Sequence, residues 1–217
     1  MTDLISEVKQ ELQQEKLLAA IKQYYKGAIA LFAIVVVAVS LYVYMHESNI
    51  RELEDMSEEY YKLFMSENKI GTVREGDFGK LTVFNKTVYS RLAKLQYANI
   101  LIQSKESGRA LQLLFDLIAD PKAPIEIANL AKIKAAELVM KHKIKGYNEK
   151  VIDILQKATR KADVPYFYML KLLLGQSLIE NNQLDEALDV LKSLNKDKTT
   201  PKNIKFFSNA ILENHLK

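Results

Sequence analysis

Three histidines, His46, His142 and His215, are the side chains of this 217-residue chain best suited to acid–base or metal chemistry near neutral pH. None has another histidine or a carboxylate three or four residues away, the spacing that would aim two ligands from one helix face at a metal. There is no cysteine, so thiol catalysis, disulfides and cysteine-bound metal are excluded. No glycine-rich phosphate loop and no nucleophile elbow is present. The expectation is a protein that is not an enzyme, with no catalytic residues, no metal site and no cofactor. Lys132, Lys134, Lys141, Lys143, Lys145 and Lys150 gather in one region, with Tyr147 alone interleaved. Nucleic-acid binding asks for more aromatic or groove-reading elements than that. The cluster reads as a solvated helix surface with some attraction to anionic lipid heads.

What positions these residues starts with the stretch from Gly27 to Met45, GAIALFAIVVVAVSLYVYM, nineteen residues without charge or proline. As a helix it rises roughly 28 Å, against a bilayer core of about 30 Å. Ten of its residues are Ile, Leu, Val or Phe, and only Ser40 among its non-aromatic side chains carries a hydroxyl. Tyr24 and Tyr25 at one end and Tyr42 and Tyr44 at the other fit interfacial belts. The expectation is one transmembrane helix, 27–45. Ala38-Val39-Ser40 offers a small-x-small cleavage pattern, but four acids lie in the 26 residues before the run, and the apolar pattern continues to Met45. The stretch is therefore expected to stay attached.

Orientation follows from flanking cations. Lys9, Lys16, Lys22 and Lys26 precede the stretch; Arg51 and Lys62 are the only cations in the twenty residues after it. This bias predicts a cytoplasmic N-terminus and a C-terminal domain outside. Residues 1–26 read as a cytoplasmic amphipathic segment, with Leu4, Ile5, Val8 and Leu12, then Leu17, Leu18, Ile21, Tyr24 and Tyr25, at helical spacing. Residues 46–79 read as a membrane-proximal helix and loop, carrying four basic and nine acidic residues. Ile50, Leu53, Met56, Tyr60, Leu63 and Phe64 mark its apolar face, and the glycines of 70–80 its loop. The remaining 80–217 carry net +9 of a total of +4, too mild to imply a strongly anionic partner.

Residues 80–217 read as helix pairs. Leu92 to Ile102 belong to one helix, Gly108 breaks it, and Ala110 to Ala119 form the next. Asp120-Pro121 and Pro124 separate that pair from Ile127–Met140 and Val151–Lys161; Val164-Pro165 restarts the pattern at Met169–Ile179 and Leu184–Leu194. Thr200-Pro201 reads as an N-cap with proline in the first turn of a C-terminal capping helix, Asn203–Leu216. Gly175 and Ala187 are small residues twelve apart, as are Ala98 and Ala110. Ala98, Ala136 and Gly175 recur at 38 and 39 residues; in the middle unit the second helix is displaced by about three residues, to Val151. The run from Leu174 to Leu188 resembles the tetratricopeptide repeat, with Asn182 at the turn and Asp185-Glu186 opening the second helix.

The opening Ile5-Ser6-Glu7-Val8-Lys9-Gln10-Glu11-Leu12, then Leu17-Leu18 and Lys22-Gln23-Tyr24-Tyr25-Lys26, is similar to a tetratricopeptide-like bacterial inner-membrane protein family that includes the ancillary subunit of the Sec translocon. The resemblance implies an all-α fold: a single N-terminal transmembrane helix followed by a TPR-like helical-repeat (α-solenoid) domain in the periplasm. It implies contact with Sec translocon subunits and periplasmic chaperones as protein partners. In that family first-helix side chains line a concave face, which by register puts Asn99, Gln103, Glu137, Lys141, Gln176 and Glu180 at the protein-binding surface. The alternative with the same layout is a TPR-like scaffold for cell-envelope or division complexes.

Overall fold

The computed structural model describes residues 34–48, 50–51, 53–63, 87–144 and 146–215. Every regular element among them is α-helical. The chain divides into two compact units, Met1–Asp55 and Met56–Lys217. The amphipathic segment 1–26, the first seven residues of the apolar stretch and the loop expected at 70–80 lie outside the described residues.

In the first unit the described residues are helical and exposed, Ile34 to Met45 included. Ser40 Oγ donates to the Val36 carbonyl at 2.8 Å, so this hydroxyl is satisfied within its own helix. Tyr42 and His46 stack at 6.0 Å, and Arg51 pairs with Glu47 at 2.7 Å. No helix among the described residues is long and apolar enough to cross a membrane.

Among the described residues after 87 the second unit contains seven helices: α1 Val88–Gln103, α2 Ser107–Ala119, α3 Ile125–His142, α4 Asn148–Ala158, α5 Phe167–Glu180, α6 Leu184–Lys196 and α7 Lys202–His215. Each packs on the next, and α1 on α3, α3 on α5, α5 on α7, whereas the backbones of α2 and α4, and of α4 and α6, stay apart. The odd helices thus form one continuous row, and the even helices on it meet only through side chains, Lys150 over the Phe115 ring and Gln156 Nε2 donating to Glu186 Oε1 at 2.9 Å. The side chains follow this division. On α2 the buried residues are Ala110, Leu111, Leu114 and Leu117, and on α6 Ala187, Leu191 and Leu194, one stripe per helix. On α3 burial runs round the helix, from Ile127, Ala128 and Asn129 to Leu138 and Val139, because neighbours lie on several sides. Residues 53–63 are helical, and Met56, Tyr60 and Leu63 pack on Tyr89, Ala93, Tyr97 and Ile100 of α1.

Three features recur with the 38- and 39-residue spacing. The first is the turn out of each odd helix. Lys105, Lys143 and Asn182 all adopt left-handed backbone, at φ +64°, +48° and +60°. At each, two amides reach back: Glu106 N to Leu101 O and Lys105 N to Ile102 O, Ile144 N to Val139 O and Lys143 N to Met140 O, Gln183 N to Leu178 O and Asn182 N to Ile179 O. This is the Schellman closure, which satisfies carbonyls the helix end would leave open. Lys105, and not Gly108, therefore ends α1; Gly108 lies inside α2 with open space where a side chain would begin.

The second is the small residue. Ala98 and Ala136 are wholly buried, and a Cβ on Gly175 would stand 2.7 Å from Leu191 Cδ2. The displacement in the middle unit comes from the turn. Helices α2 and α6 start two residues after Lys105 and Asn182, whereas α4 starts five after Lys143. Three added residues carry Val151 to the buried position held elsewhere by Ala110 and Ala187. Gly146, at φ +86°, absorbs the bend, and Tyr147 stacks on Phe115 at 5.7 Å.

The third is a polar tether low on each odd helix, at positions 91, 129 and 168. Arg91 Nε donates to Asp120 Oδ2 at 2.8 Å, Asn129 Nδ2 to the Pro165 carbonyl at 2.9 Å, and Tyr168 Oη to Asp197 Oδ2 at 3.3 Å. At the C-terminal helix Thr200 makes no side-chain cap: its buried hydroxyl has no hydrogen-bond partner, and the first helical bond goes from Lys205 N to the Pro201 carbonyl. The proline holds the chain extended before it, so the helix starts one step later than the Thr-Pro pattern predicts.

Adding a methyl at Gly175 should therefore destabilise the fold. Leu191 is fully buried and has nowhere to retreat, so G175A is expected to cost about 1–2 kcal/mol despite alanine's better helix propensity, and G175V more than about 3. Urea unfolding checks both; an unchanged midpoint for G175V would contradict the close approach. The Arg91–Asp120 bond predicts a pH signature. Arg91, then the Lys122 amide, hold the Asp120 carboxyl below the usual carboxylate range. Its stabilisation is present above about pH 4 and lost as pH falls through the lowered value. D120N should cost about 1.5–3 kcal/mol at neutral pH, with the gap from the parent narrowing below about pH 4.

Candidate protein-binding groove

The odd-helix row carries two neighbouring hollows on one side. The smaller, about 420 Å³, lies between α1 and α3 and is lined by Gln96, Asn99 and Gln103 from the first and Lys134, Glu137 and Lys141 from the second, with His142 at its edge. The larger, about 790 Å³, lies among α3, α5 and α7. Glu137 and Lys141 line both, so the hollows continue one another along the row.

All six residues expected at the concave face line these hollows. Asn99 and Gln103 line the first, Gln176 and Glu180 the second, and Glu137 and Lys141 stand between. Their placement follows from the repeat. Asn99, Glu137 and Gln176 each directly follow the small buried residue of their helix, and Gln103, Lys141 and Glu180 lie one turn further on. The turn facing the even helix is thereby fixed, and the next residue must look away from it. The first three are half-buried and the second three exposed. Asn99 Nδ2 donates to Gln96 Oε1 at 3.0 Å, and Lys134 approaches Glu137 at 3.9 Å.

The larger hollow has a second character that the polar register does not predict. Met140, Met169, Leu172, Ile179, Ile204 and Phe207 give it an apolar floor. Phe207 stays 53% exposed and stands edge-on to Phe206 at 5.7 Å. Two methionines and an exposed aromatic make a floor that can repack around differing apolar side chains. The adjacent pair Phe206-Phe207 on a helix that also buries Ile204, Ser208 and Leu212 was the available signal, because two successive aromatics cannot both face one core. The C-terminal helix is thus a wall of the groove, with Asn203, Ile211 and His215 on the same lining.

The histidines and lysines resolve differently from their sequence neighbourhoods. His142 lies in the last turn of α3, His215 in that of α7, and His46 is also helical. Among the described residues no group of three His, Asp or Glu is placed to hold a metal. The lysine cluster is not one surface. Lys134 and Lys141 line the groove, Lys132 lines a separate cavity, Lys143 makes the left-handed turn, and Lys150 Nζ sits 3.8 Å over the Phe115 ring; Lys145 lies outside the described residues. Chemically, the groove offers carboxylates, amides and two ammoniums around an apolar floor, a set suited to holding a polypeptide by side chain and backbone. Comparison with protein-family models, curated proteins and solved structures finds no match.

Proposed function

We propose that this chain is a membrane-anchored protein–protein interaction protein, held by a single spanning helix at 27–45 and binding its partner along a TPR-like helical-repeat domain. The observation that carries the reading is the groove itself. Two hollows run along the row of odd helices, lined by Asn99, Gln103, Glu137, Lys141, Gln176 and Glu180 and floored by Met140, Met169 and Phe207. Support for the repeat comes from left-handed turns at Lys105, Lys143 and Asn182, a 38- and 39-residue period close to that of helical-repeat units. Support for the anchor comes from the nineteen uncharged residues and their lysine-rich N-terminal flank. The biological setting proposed is the bacterial inner membrane, N-terminus inside and repeat domain in the periplasm. The work proposed there is that of an accessory of Sec-dependent translocation and chaperone hand-over, receiving emerging polypeptide segments. No catalytic step is assigned to it.

A photo-crosslinker at Gln176 or Asn99 of the full chain in cells is expected to trap translocon subunits or periplasmic chaperones; recovery of cytosolic proteins alone would sink the reading. Phe207→Glu, which puts a charge on the floor at an exposed position, should cut that capture by about tenfold or more with little change in melting temperature. Val36→Lys should add about 2.5–3.5 kcal/mol to insertion at the helix centre. Loss of the variant from carbonate-washed membranes is the expected result, and quantitative retention would mean the anchor lies elsewhere.

A further inference from the structure

Away from the groove, a cavity of about 360 Å³ opens where the end of α2, the start of α3 and the end of α4 meet. Lys132, Lys157, Arg160 and Lys161 line it, together with aliphatic side chains including Ile118, Ile154 and Val164, and among the described residues no carboxylate does. Lys157 is already paired, with Asp153 at 2.7 Å. Lys132 is not left to wander. Its Nζ donates to Asn129 Oδ1 at 2.8 Å, and Asn129, itself 1% exposed, is held through Nδ2 on the Pro165 carbonyl. A half-buried ammonium is thereby fixed against an aliphatic wall.

The repeat explains what is missing there. Lys132 has counterparts at Lys94 and Lys171, by the same 38- and 39-residue steps. In the first and third units the residue thirteen after the start of the even helix is an aspartate, Asp120 after Ser107 and Asp197 after Leu184. Lys94 lowers the Asp120 carboxyl pKa and Lys171 that of Asp197, after larger effects from Arg91 and Lys122 and from Thr199 and Tyr168. Each lysine therefore feels a carboxylate of its own unit. In the middle unit the same count from Asn148 arrives at Lys161. The carboxylate is replaced by a second cation. Burial alone pushes Lys132 below the usual lysine range, with no acid to oppose it.

We infer that this cavity is a binding site for an external aliphatic carboxylate, whose anionic head takes the place that Asp120 and Asp197 hold in the flanking units and whose hydrocarbon part lies on Ile118, Ile154 and Val164. The head is received by Lys132 and Lys161, with Arg160 at the rim. Two sources carry this chemistry, a fatty acid and the carboxyl terminus of a peptide ending in an aliphatic residue. The site shares no lining residue with the groove and does not depend on the partner reading above.

The test is calorimetric titration of the full chain in neutral detergent with hexanoate, with hexanol, and with acetyl-Gly-Val-Leu bearing either a free or an amidated carboxyl. Saturable one-to-one binding of hexanoate or the free-acid peptide, with none of hexanol or the amide, is expected; which of the two binds more tightly identifies the source. Lys132→Met should weaken binding by about tenfold or more while the fold is retained. Lys161→Asp, at an exposed position, is the decisive variant. It restores the internal carboxylate, so it should abolish binding and raise the melting temperature, whereas Phe207→Glu should leave binding intact. Absence of saturable binding by either acid, or equal affinity in the parent and Lys161→Asp, would overturn the inference.

Discussion

The close approach of odd to even helices at one small residue per unit governs the second unit. At Gly175 the backbone comes so near Leu191 that no side chain fits between, and Ala98 and Ala136, wholly buried, hold the matching positions in the other units. Interiors pack densely, and a helix pair that meets this closely has little freedom to rotate. Rotation is what decides which residues face outward. Once Ala98, Ala136 and Gly175 are turned inward, Asn99, Glu137 and Gln176, about 100° further round the helix, face sideways into the hollows along the row. The groove's polar rim is thus a consequence of packing behind it.

The turns keep this relation in step from unit to unit. A left-handed residue at the same distance from the small position ends each odd helix, and in two cases out of three that residue is a lysine. Left-handed backbone is unfavourable for a side chain with a Cβ, so the paired hydrogen bonds of the closure, and not local preference, must hold it. The middle unit tests the point. It inserts three residues into the turn and still delivers Val151 and Leu155 to the buried stripe, with the surplus folded outward on Phe115. Packing restored the register; the turn accommodated it.

The tethers at 91, 129 and 168 divide the labour differently. They bind the lower end of each odd helix to the segment that follows its even helix, by a charged pair, an amide and a phenol in turn. Because the units use different chemistry for one mechanical task, they leave different residues over. In the flanking units an aspartate lies close enough for the unit's lysine to help lower its pKa; in the middle the amide tether reaches a backbone carbonyl, and among the described residues the only charged groups lining the cavity beside it are cations. Degeneracy in a repeat thereby creates a local electrostatic environment that no single unit has.

Local physics made much of this legible in advance. Apolar residues at helical spacing, with proline at the breaks, marked the helices to within a few residues, and the small residues at 98, 136 and 175 marked the period, because both follow from contacts between near neighbours in sequence. Those marks, with the concave face that the family resemblance implies, picked out six positions that line the two hollows. Misreadings arose where a residue's role depends on something distant. Gly108 looked like a breaker, but the break is made by Lys105, whose strained backbone is held by hydrogen bonds. Thr200 looked like a cap, but its hydroxyl is buried with no hydrogen-bond partner. The lysines from 132 to 150 looked like one surface, but helix rotation sends them to the groove, the turn, a ring face and a separate cavity. Only the tertiary structure decided that Phe207 of the last helix floors the same hollow as Met140 and Met169, and that Ile118 and Val164 wall a cavity around Lys132. Such meetings join residues far apart in the chain, and no periodicity within a single helix records which helix will lie beside it.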